Sequence, residues 1–389
     1  MKLRKISESV SWLGVADWNR RLFDALIPLP DGTSYNAYLV QGEDKTVLID
    51  SVDPDKSAIL MYQLQSVDTL DYIISQHAEQ DHSGTIPMVM EKYPEARLLT
   101  TPKGKELLLK HLNLTEDRID TVEDGETLDL GGKTLEFIHT PWVHWPETMC
   151  TYLQQEQILF SCDFMGSHLA TTDLYATDMD EVCEAAKRYY AEIMMPFRKI
   201  IRKNMAKLDT RDIKMVAPSH GPIHKDPCCI MNAHNEWVSD SVKNEVVIPY
   251  ISMHGSTQKM VDYLVSALAE RGVKVRLFDL EVTDIGKLAI ALVDAATLVI
   301  GTPTVHYGPH PAVFYAAHLA NALRPKLRYA SIIGSYGWKS KAIEQIVGLI
   351  PNLKVEVIDP VMCQGTPKED TFAALDKLAD DIAAKHAEL

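Results

Sequence analysis

The sequence predicts a two-domain α/β protein, from its length and from a change of pattern near residue 244. A chain of 389 residues is too long for one ordinary hydrophobic core. Residues 1–244 mix short strands, turns and scattered helices, whereas residues 245–389 alternate strands and helices regularly. We therefore predict an N-terminal domain over residues 1–244 and a C-terminal domain over residues 245–389.

Composition is that of a globular protein and argues against two classes of partner. The chain is 46% hydrophobic and 24% charged. Its formal net charge of -15 argues against nucleic-acid binding, because contacts to phosphates need an excess of Lys and Arg. No apolar run approaches the roughly 20 residues of a membrane-spanning helix, and the basic start Met1–Lys5 leads into polar residues, not into a signal core.

Cysteine usage indicates a reducing compartment. The six cysteines form no C-x-x-C pair: Cys150, Cys162, Cys183, Cys228, Cys229 and Cys363. We therefore predict free thiols and a cytoplasmic protein. A rubredoxin-type iron site would need two such pairs, so electrons for any redox reaction must come from a separate protein or a soluble cofactor.

Strands in the N-terminal domain are predicted from β-branched and aromatic runs between turn signals. They cover Tyr35–Val40, Thr46–Val52, Asp71–Ser75, Leu135–Ile138, Met149–Leu153, Gln157–Cys162 and Ile213–Ala217. One long helix is predicted from about Asp178 to Leu208, where apolar residues recur at helical spacing.

The sequence of the C-terminal domain predicts five apolar strands separated by helices. The predicted strands are Glu245–Ser252, Val273–Leu280, Thr297–Thr302, Leu327–Gly334 and Leu353–Asp359, and a last helix starts near Lys368. Near-continuous apolar strands joined by helices are typical of a parallel sheet covered on both faces. With a polar loop after the first strand, this pattern predicts a flavodoxin-like doubly wound fold.

Candidate metal ligands cluster after strands of the N-terminal domain. Four fall within six residues, directly after a predicted strand: His77, Glu79, Asp81 and His82. Three more follow later strands: His144, Asp163 and His220. These donors suffice for two cations that share a carboxylate, because acidic oxygens offset the repulsion between the cations. A single His or Asp at a strand end is more often a turn or capping residue, but the cluster is hard to explain that way.

The ligand types restrict the metal. No thiolate belongs to the cluster, so imidazole nitrogen and carboxylate oxygen suit iron, manganese or zinc and exclude iron–sulfur chemistry. Glu79 stands where a hydrolase of similar design usually has histidine, and this favours redox-active iron.

These motifs resemble those of the flavo-diiron proteins (A-type flavoproteins), in which a metallo-β-lactamase-like αββα domain precedes a flavodoxin-like domain. The likeness covers nearly the whole chain, including Gly32–Leu39. The family's H-x-E-x-D-H cluster matches His77–His82, and its His-Trp-Pro element matches His144–Pro146. Its bridging aspartate matches Asp163, and its Ser-His-Gly element matches Ser219–Gly221.

The resemblance implies a role for each matched residue. One iron would be held by His77, Glu79 and His144. The other would be held by Asp81 and His220, with Asp163 between the two irons and His82 as a further candidate ligand. His168 is expected to line the substrate pocket.

The resemblance also implies a bound FMN, and three loops of the C-terminal domain fit it. The loop after the first strand opens a helix, where N–H and O–H groups can approach a phosphate: Ser252, Met253, His254, Gly255, Ser256 and Thr257. The second loop contains Thr302, Pro303, Thr304, His306, Tyr307 and Gly308, and the third contains Ser335, Tyr336, Gly337 and Trp338. Relatives often carry Asn-Asn in place of His306-Tyr307.

Family members reduce dioxygen to water, nitric oxide to nitrous oxide, or both. The resemblance therefore implies such an oxidoreductase, supplied by a separate donor such as a rubredoxin-like protein or reduced deazaflavin. It also implies a head-to-tail homodimer or a dimer of such dimers. Two alternatives stay open at this point: a two-metal hydrolase of the metallo-β-lactamase type, which would hold zinc, and a diiron gas sensor without turnover.

Overall fold

The computed structural model describes residues 3–23 and 25–389. The chain forms two compact units. The first runs to Tyr189 and resumes at Phe197–Val238, and the second comprises Tyr190–Pro196 and Ser239–Leu389. Across the described residues, every helix is too short or too polar to span a bilayer.

The first unit contains fourteen strands and seven α-helices among its described residues. The strands are β1 (Arg4–Lys5), β2 (Val10–Asp17), β3 (Leu22–Phe23), β4 (Ile27–Pro28), β5 (Thr33–Gln41), β6 (Thr46–Ile49), β7 (Tyr72–Ile74), β8 (Arg97–Thr100), β9 (Ile119–Thr121), β10 (Thr127–Asp129), β11 (Thr134–His139), β12 (Met149–Leu153), β13 (Ile158–Cys162) and β14 (Met215–Pro218). The helices are α1 (Ser57–Gln63), α2 (Gln80–Ser83), α3 (Ile86–Lys92), α4 (Pro102–His111), α5 (Met179–Tyr189), α6 (Arg198–Leu208) and α7 (Cys228–Val238).

Two sheets of this unit pack face to face. One has the strand order β1-β2-β5-β6-β7-β8-β9, and the other has the order β10-β11-β12-β13-β14. Strand β5 shows how the layers form, because side chains alternate between the two faces of a strand. Tyr38 and Val40 belong to the apolar cluster that includes Phe160 of the second sheet. Ala37 and Leu39 belong to the cluster that includes residues of α1, α3 and α4.

The predicted helix 178–208 is wrong as a single element. Helix α5 ends at Tyr189, a π-helical turn covers Tyr190–Met194, a 3-10 turn covers Met195–Phe197, and α6 starts at Arg198. Pro196 provides the physical reason, since proline has no N–H to donate and disfavours the α-conformation in the residue before it.

The second unit is a parallel sheet flanked by helices. Its strands are β15 (Lys243–Tyr250), β16 (Lys274–Asp279), β17 (Ala295–Val305), β18 (Gly308–Pro309), β19 (Tyr329–Tyr336), β20 (Glu356–Val357) and β21 (Val361–Gln364). Its helices are α8 (Ser256–Glu270), α9 (Ile285–Leu292), α10 (Pro311–Leu323), α11 (Ala342–Leu349) and α12 (Glu369–His386). The order β16-β15-β17-β19-β20, with every neighbour parallel, is that of the predicted doubly wound fold.

The predicted fifth strand, Leu353–Asp359, is wrong in its extent. Its residues form only the two-residue strand β20, and β21 pairs with β19 further along the chain. Pro360 lies between the two segments and cannot donate a hydrogen bond to a ladder, so the strand is interrupted there.

Candidate functional site

The predicted ligands lie beyond the carboxyl ends of strands in the first unit. His77 follows β7, and Glu79 is the N-cap residue of the short helix α2, which carries Asp81 and His82. His144 lies in the connection between β11 and β12. Asp163 directly follows β13, and His220 follows β14. Because these strand ends meet at one edge of the sandwich, residues distant in sequence share one pocket.

One group of side chains forms around Glu79. Its Oε2 atom lies 3.0 Å from His77 Nε2 and 3.1 Å from His144 Nε2. Asp163 Oδ2 faces the same two nitrogens, at 3.5 Å and 3.7 Å. These four residues have the spacing of a metal-binding group.

A second group forms around Asp81. Its Oδ1 atom lies 3.3 Å from His82 Nε2, and its Oδ2 atom lies 3.2 Å from His220 Nε2. Asp163 Oδ1 faces these nitrogens at 3.0 Å and 3.4 Å. Each oxygen of Asp163 therefore faces a different group, with three further ligand-type side chains in each.

Buried polar atoms of this pocket fit a pair of cations. Both carboxylate oxygens of Asp81 and of Asp163 are buried and accept no hydrogen bond, and His82 Nε2 is likewise without one. Burying carboxylates without hydrogen bonds is costly unless cations compensate them. Nitrogen and oxygen donors without thiolate suit iron, manganese or zinc.

The pKa shifts of two carboxylates in the pocket, Glu79 and Asp163, favour their ionised forms. Burial would raise the pKa of Glu79, but hydrogen bonds from His144 and His77 outweigh burial and hold it below its usual value. Burial likewise acts to raise the pKa of Asp163, yet the charges of His82, His77 and His220 hold it well below its usual value. The two carboxylates therefore stay available as anionic ligands at neutral pH.

His168 lies beside the second group. Its ring centroid is 5.0 Å from that of His220 and 4.5 Å from that of Tyr189. Nδ1 shares a hydrogen bond of 2.8 Å with Thr33 Oγ1, while the buried Nε2 has no hydrogen-bond partner. Burial and the neighbouring His220 hold the pKa of His168 well below its usual value, so the ring is neutral. Its assignment to a substrate pocket stays a prediction.

The sequence did not predict the residues that hydrogen-bond to the Nδ1 atoms of the ligand-type histidines, on the side of the ring away from the pocket. Glu147 Oε1 accepts a hydrogen bond of 2.7 Å from His77 Nδ1, and the Ser34 carbonyl accepts one of 2.6 Å from His220 Nδ1. Glu147 stands directly after the recognised His144–Pro146 element, so its position next to a motif was the available signal. A backbone carbonyl such as that of Ser34 leaves no signal in a sequence.

Asp50, His82 and Cys162 form a further group with suitable spacing, but two of its members are poor ligands. The carboxylate of Asp50 already accepts hydrogen bonds from the Gln76 N–H and side-chain amide and from Ser219 Oγ. Burial raises the pKa of the Cys162 thiol well above its usual value, so it stays protonated. We assign Asp50 a structural role in holding strand ends together.

Replacing Gly221 by alanine is expected to distort the pocket at His220. Gly221 has φ +78°, and an added Cβ would lie 2.1 Å from Ser167 Oγ. Backbone strain of this kind costs roughly 1–3 kcal/mol, and the steric contact adds to it. We expect a lower urea midpoint for G221A and a loss of bound metal. The control is Gly125→Ala, because Gly125 has φ +83° but an added Cβ there meets nothing within 4 Å. Equal losses in both variants would contradict the steric argument.

The first predicted cofactor loop opens helix α8 as expected. Gly255, at φ +83°, is the N-cap residue of α8 and provides no side-chain cap, and the first turn holds no acidic residue. Ser252 Oγ accepts hydrogen bonds from the N–H groups of Gly255 and Gln258, which fixes the loop. A Cβ added at Gly255 would meet nothing within 4 Å, and the positive end of the helix dipole at this loop suits a phosphate.

The other two predicted loops are partly wrong, because strands continue into them. Strand β17 runs to Val305, and β19 runs to Tyr336. The third loop still reaches the first, since Thr257 Oγ1 and Ser335 Oγ lie 3.1 Å apart. His306 and Tyr307 form the two-residue turn of a hairpin between β17 and β18, and both have positive φ, +48° and +70°.

Replacing His306 and Tyr307 together by asparagine and glycine is expected to stabilise the second unit. A two-residue turn with both φ angles positive prefers Asn-Gly, whereas His and Tyr are strained there. We expect the thermal midpoint to rise, by an amount corresponding to about 1 kcal/mol. Circular dichroism melting with FMN in excess measures this. A lower midpoint would mean that the His306 and Tyr307 side chains provide more stability than their strain removes.

Two family models match consecutive parts of the chain. The model described as ODP family beta lactamase matches residues 33–221, and the flavodoxin model matches residues 248–377. The first match covers strands β5 to β14 of the two-sheet sandwich, and the second runs from within β15 into α12.

Curated relatives match the chain end to end. The nitric oxide reductase of Moorella thermoacetica is 33% identical, with coverage of 98% of this chain and 98% of the relative. The coenzyme F420H(2) oxidase of Methanothermobacter marburgensis is 34% identical, with coverage of 97% and 98%. Among solved structures, rubredoxin oxygen:oxidoreductase from Desulfovibrio gigas superposes with a TM-score of 0.94 at 28% identity, covering 99% of this chain and 98% of that chain.

Proposed function

This chain belongs to the flavodiiron protein family, and we propose from that membership that it reduces dioxygen to water, nitric oxide to nitrous oxide, or both. It is an oxidoreductase with a metallo-β-lactamase-like domain followed by a flavodoxin domain, and its cofactors are a non-haem diiron site and FMN. We assign the iron site to residues 1–244 and the flavin site to residues 245–389.

The observation that carries the proposal is the position of Asp163 between two groups of ligand-type side chains. Its Oδ2 faces the group with His77, Glu79 and His144. Its Oδ1 faces the group with Asp81, His82 and His220. In the proposed assignment, each group would hold one iron, and Asp163 would serve as a ligand shared by both.

The cofactors supply the electrons, two from a pair of ferrous ions and two more from the reduced flavin for the four-electron reduction of dioxygen. The chain's own residues position them. The ionised Glu79 and Asp163 would balance the positive charge of the irons, and the histidines of the two groups would hold them. The neutral ring of His168 beside His220 offers a polar contact without adding charge.

The flavin assignment rests on the loops at the carboxyl ends of β15, β17 and β19. The N–H groups at the start of α8, with Ser252, Ser256 and Thr257, would hold the FMN phosphate. The loop residues Met253, His254, Thr302, Pro303 and Thr304 would complete the cradle. The side chains near the flavin ring would come from His306, Tyr307, Gly308 and Ser335–Trp338.

The proposed electron donor is a separate reductant, either a rubredoxin-like protein or reduced deazaflavin. All six cysteines are free, and none belongs to a C-x-x-C pair that could hold a rubredoxin iron within this chain. The free thiols also support the proposed cytoplasmic location. The proposed assembly is a head-to-tail homodimer or a dimer of such dimers, which sedimentation analysis would test.

The decisive experiment combines metal analysis with turnover. We expect about two irons and one FMN per chain after anaerobic reconstitution. The reduced protein is then assayed separately with dioxygen and with nitric oxide, using reduced rubredoxin and reduced coenzyme F420 as alternative donors. Two zincs that iron cannot replace would support the hydrolase alternative, and single-turnover reaction without recycling would support a gas sensor.

A further inference from the structure

The orientation of His77 is fixed by the residue behind it. His77 Nδ1 lies 2.7 Å from Glu147 Oε1, and the two side chains are 0% and 1% exposed. An ionised carboxylate can only accept a hydrogen bond, so Nδ1 carries the hydrogen. The Nε2 atom lies on the side of Glu79 and Asp163, where a bound iron would replace its hydrogen and take up the lone pair of the neutral ring.

Besides its contact with His77, Glu147 is held in place by two further hydrogen bonds. Its Oε1 also accepts a hydrogen bond of 3.0 Å from the N–H of Ala78, which is the residue after His77. Its backbone carbonyl accepts a hydrogen bond of 2.9 Å from Thr101 Oγ1. The segment from His144 to Glu147 therefore supplies one ligand-type side chain and anchors a second one from behind.

The corresponding contact in the other group has a neutral acceptor. His220 Nδ1 donates to the Ser34 backbone carbonyl at 2.6 Å. A charged acceptor forms a stronger hydrogen bond than a neutral one, and a carboxylate behind a ligating imidazole raises the basicity of its other nitrogen. The two groups thus differ in the strength of the histidine ligand that each can offer.

We propose that Glu147 is a positioning residue that makes the two iron positions unequal, strengthening iron binding in the group that contains His77. This inference rests on the proposed binding of iron by His77. It requires no contact between Glu147 and the metal, because Glu147 acts through the imidazole ring.

The test is a ferrous titration of the metal-free protein, carried out anaerobically with FMN bound. Glu147→Gln keeps an acceptor for the His77 Nδ1 hydrogen but removes the charge. We expect the affinity of one iron position to fall by about 10–100-fold while the other stays unchanged. Mössbauer spectra at one iron per chain identify the position that loses iron. Glu147→Leu removes the acceptor as well and should weaken the same position further.

Glu156→Gln is the matched control. Glu156 is also a largely buried carboxylate of the first unit, where it accepts from Ser9 Oγ at 2.6 Å and pairs with Lys133 at 2.8 Å. We expect the two iron affinities of the Glu156→Gln variant to equal those of the wild type. Equal weakening of both positions in E147Q, or no weakening of either, would overturn the inference. Fewer than two irons in the wild type would instead overturn the proposed function, and this inference with it.

Discussion

Replacing Asp163 by alanine is expected to abolish reduction of both gases while FMN stays bound. The two oxygens of Asp163 face both ligand groups, at 3.0–3.7 Å from four imidazole nitrogens. Its removal leaves two cations without the shared anion that offsets their repulsion. Mutating a residue that only hydrogen-bonds to a metal ligand typically lowers metal affinity or activity by about 10–100-fold. Loss of a ligand shared by both metals should therefore lower turnover by more than about 100-fold.

The measurement uses oxygen and nitric oxide electrodes, with iron and flavin analysis of the same preparation. We expect less than the full pair of irons and an unchanged flavin content. Asp212→Ala is the control, because Asp212 is an exposed carboxylate paired only with surface groups such as Lys214. An Asp163→Ala protein with both irons and wild-type turnover would refute the bridging assignment.

Replacing Ser256 by aspartate is expected to have the opposite effect to Asp163→Ala: the protein keeps its irons and loses its flavin. Ser256 is the first residue of α8, where an acidic side chain stabilises the helix dipole, so the fold should be retained. The same charge would repel the dianionic phosphate of FMN at close range. At an effective dielectric constant of about 20 this repulsion amounts to a few kcal/mol, so FMN affinity should fall roughly 100-fold or more.

Fluorescence titration of the flavin-free protein with FMN measures this change, and iron analysis accompanies it. Ser256→Ala is the control, since it removes the hydroxyl without adding a charge, and a modest loss of affinity is expected. Turnover from a protein donor should be lost in the aspartate variant even though two irons remain. Wild-type FMN affinity in that variant would show that the phosphate binds elsewhere.

The sequence was most informative where ligand chemistry is dense. Four potential ligands between His77 and His82 cannot easily arise from turn or capping preferences, and the structure brings them together with His144, Asp163 and His220. The parallel order of the second sheet was also predictable, because buried strands and helices alternate with little ambiguity.

What the sequence concealed depends on tertiary contacts and on proline. Apolar residues at helical spacing continue past Pro196, but the helix is interrupted before it. The apolar residues around Pro360 likewise predict one strand, whereas the structure has two short strands, β20 and β21. The extension of β17 beyond the predicted end at Thr302, through Pro303–Val305, depends on pairing with β18, which local propensity does not report. Glu147 and Ser34 acquire their roles only when distant strand ends meet.

The absence of sulfur from the two ligand groups has a consequence for how the protein acquires its metal in a cell. Imidazole and carboxylate donors bind zinc at least as readily as ferrous iron, following the usual order of stability among divalent ions. Selection between the two must therefore depend on which ion is abundant during synthesis. Protein produced in a zinc-rich, iron-poor culture is expected to be mismetallated, with an intact fold and a normal yellow flavin but no catalysis.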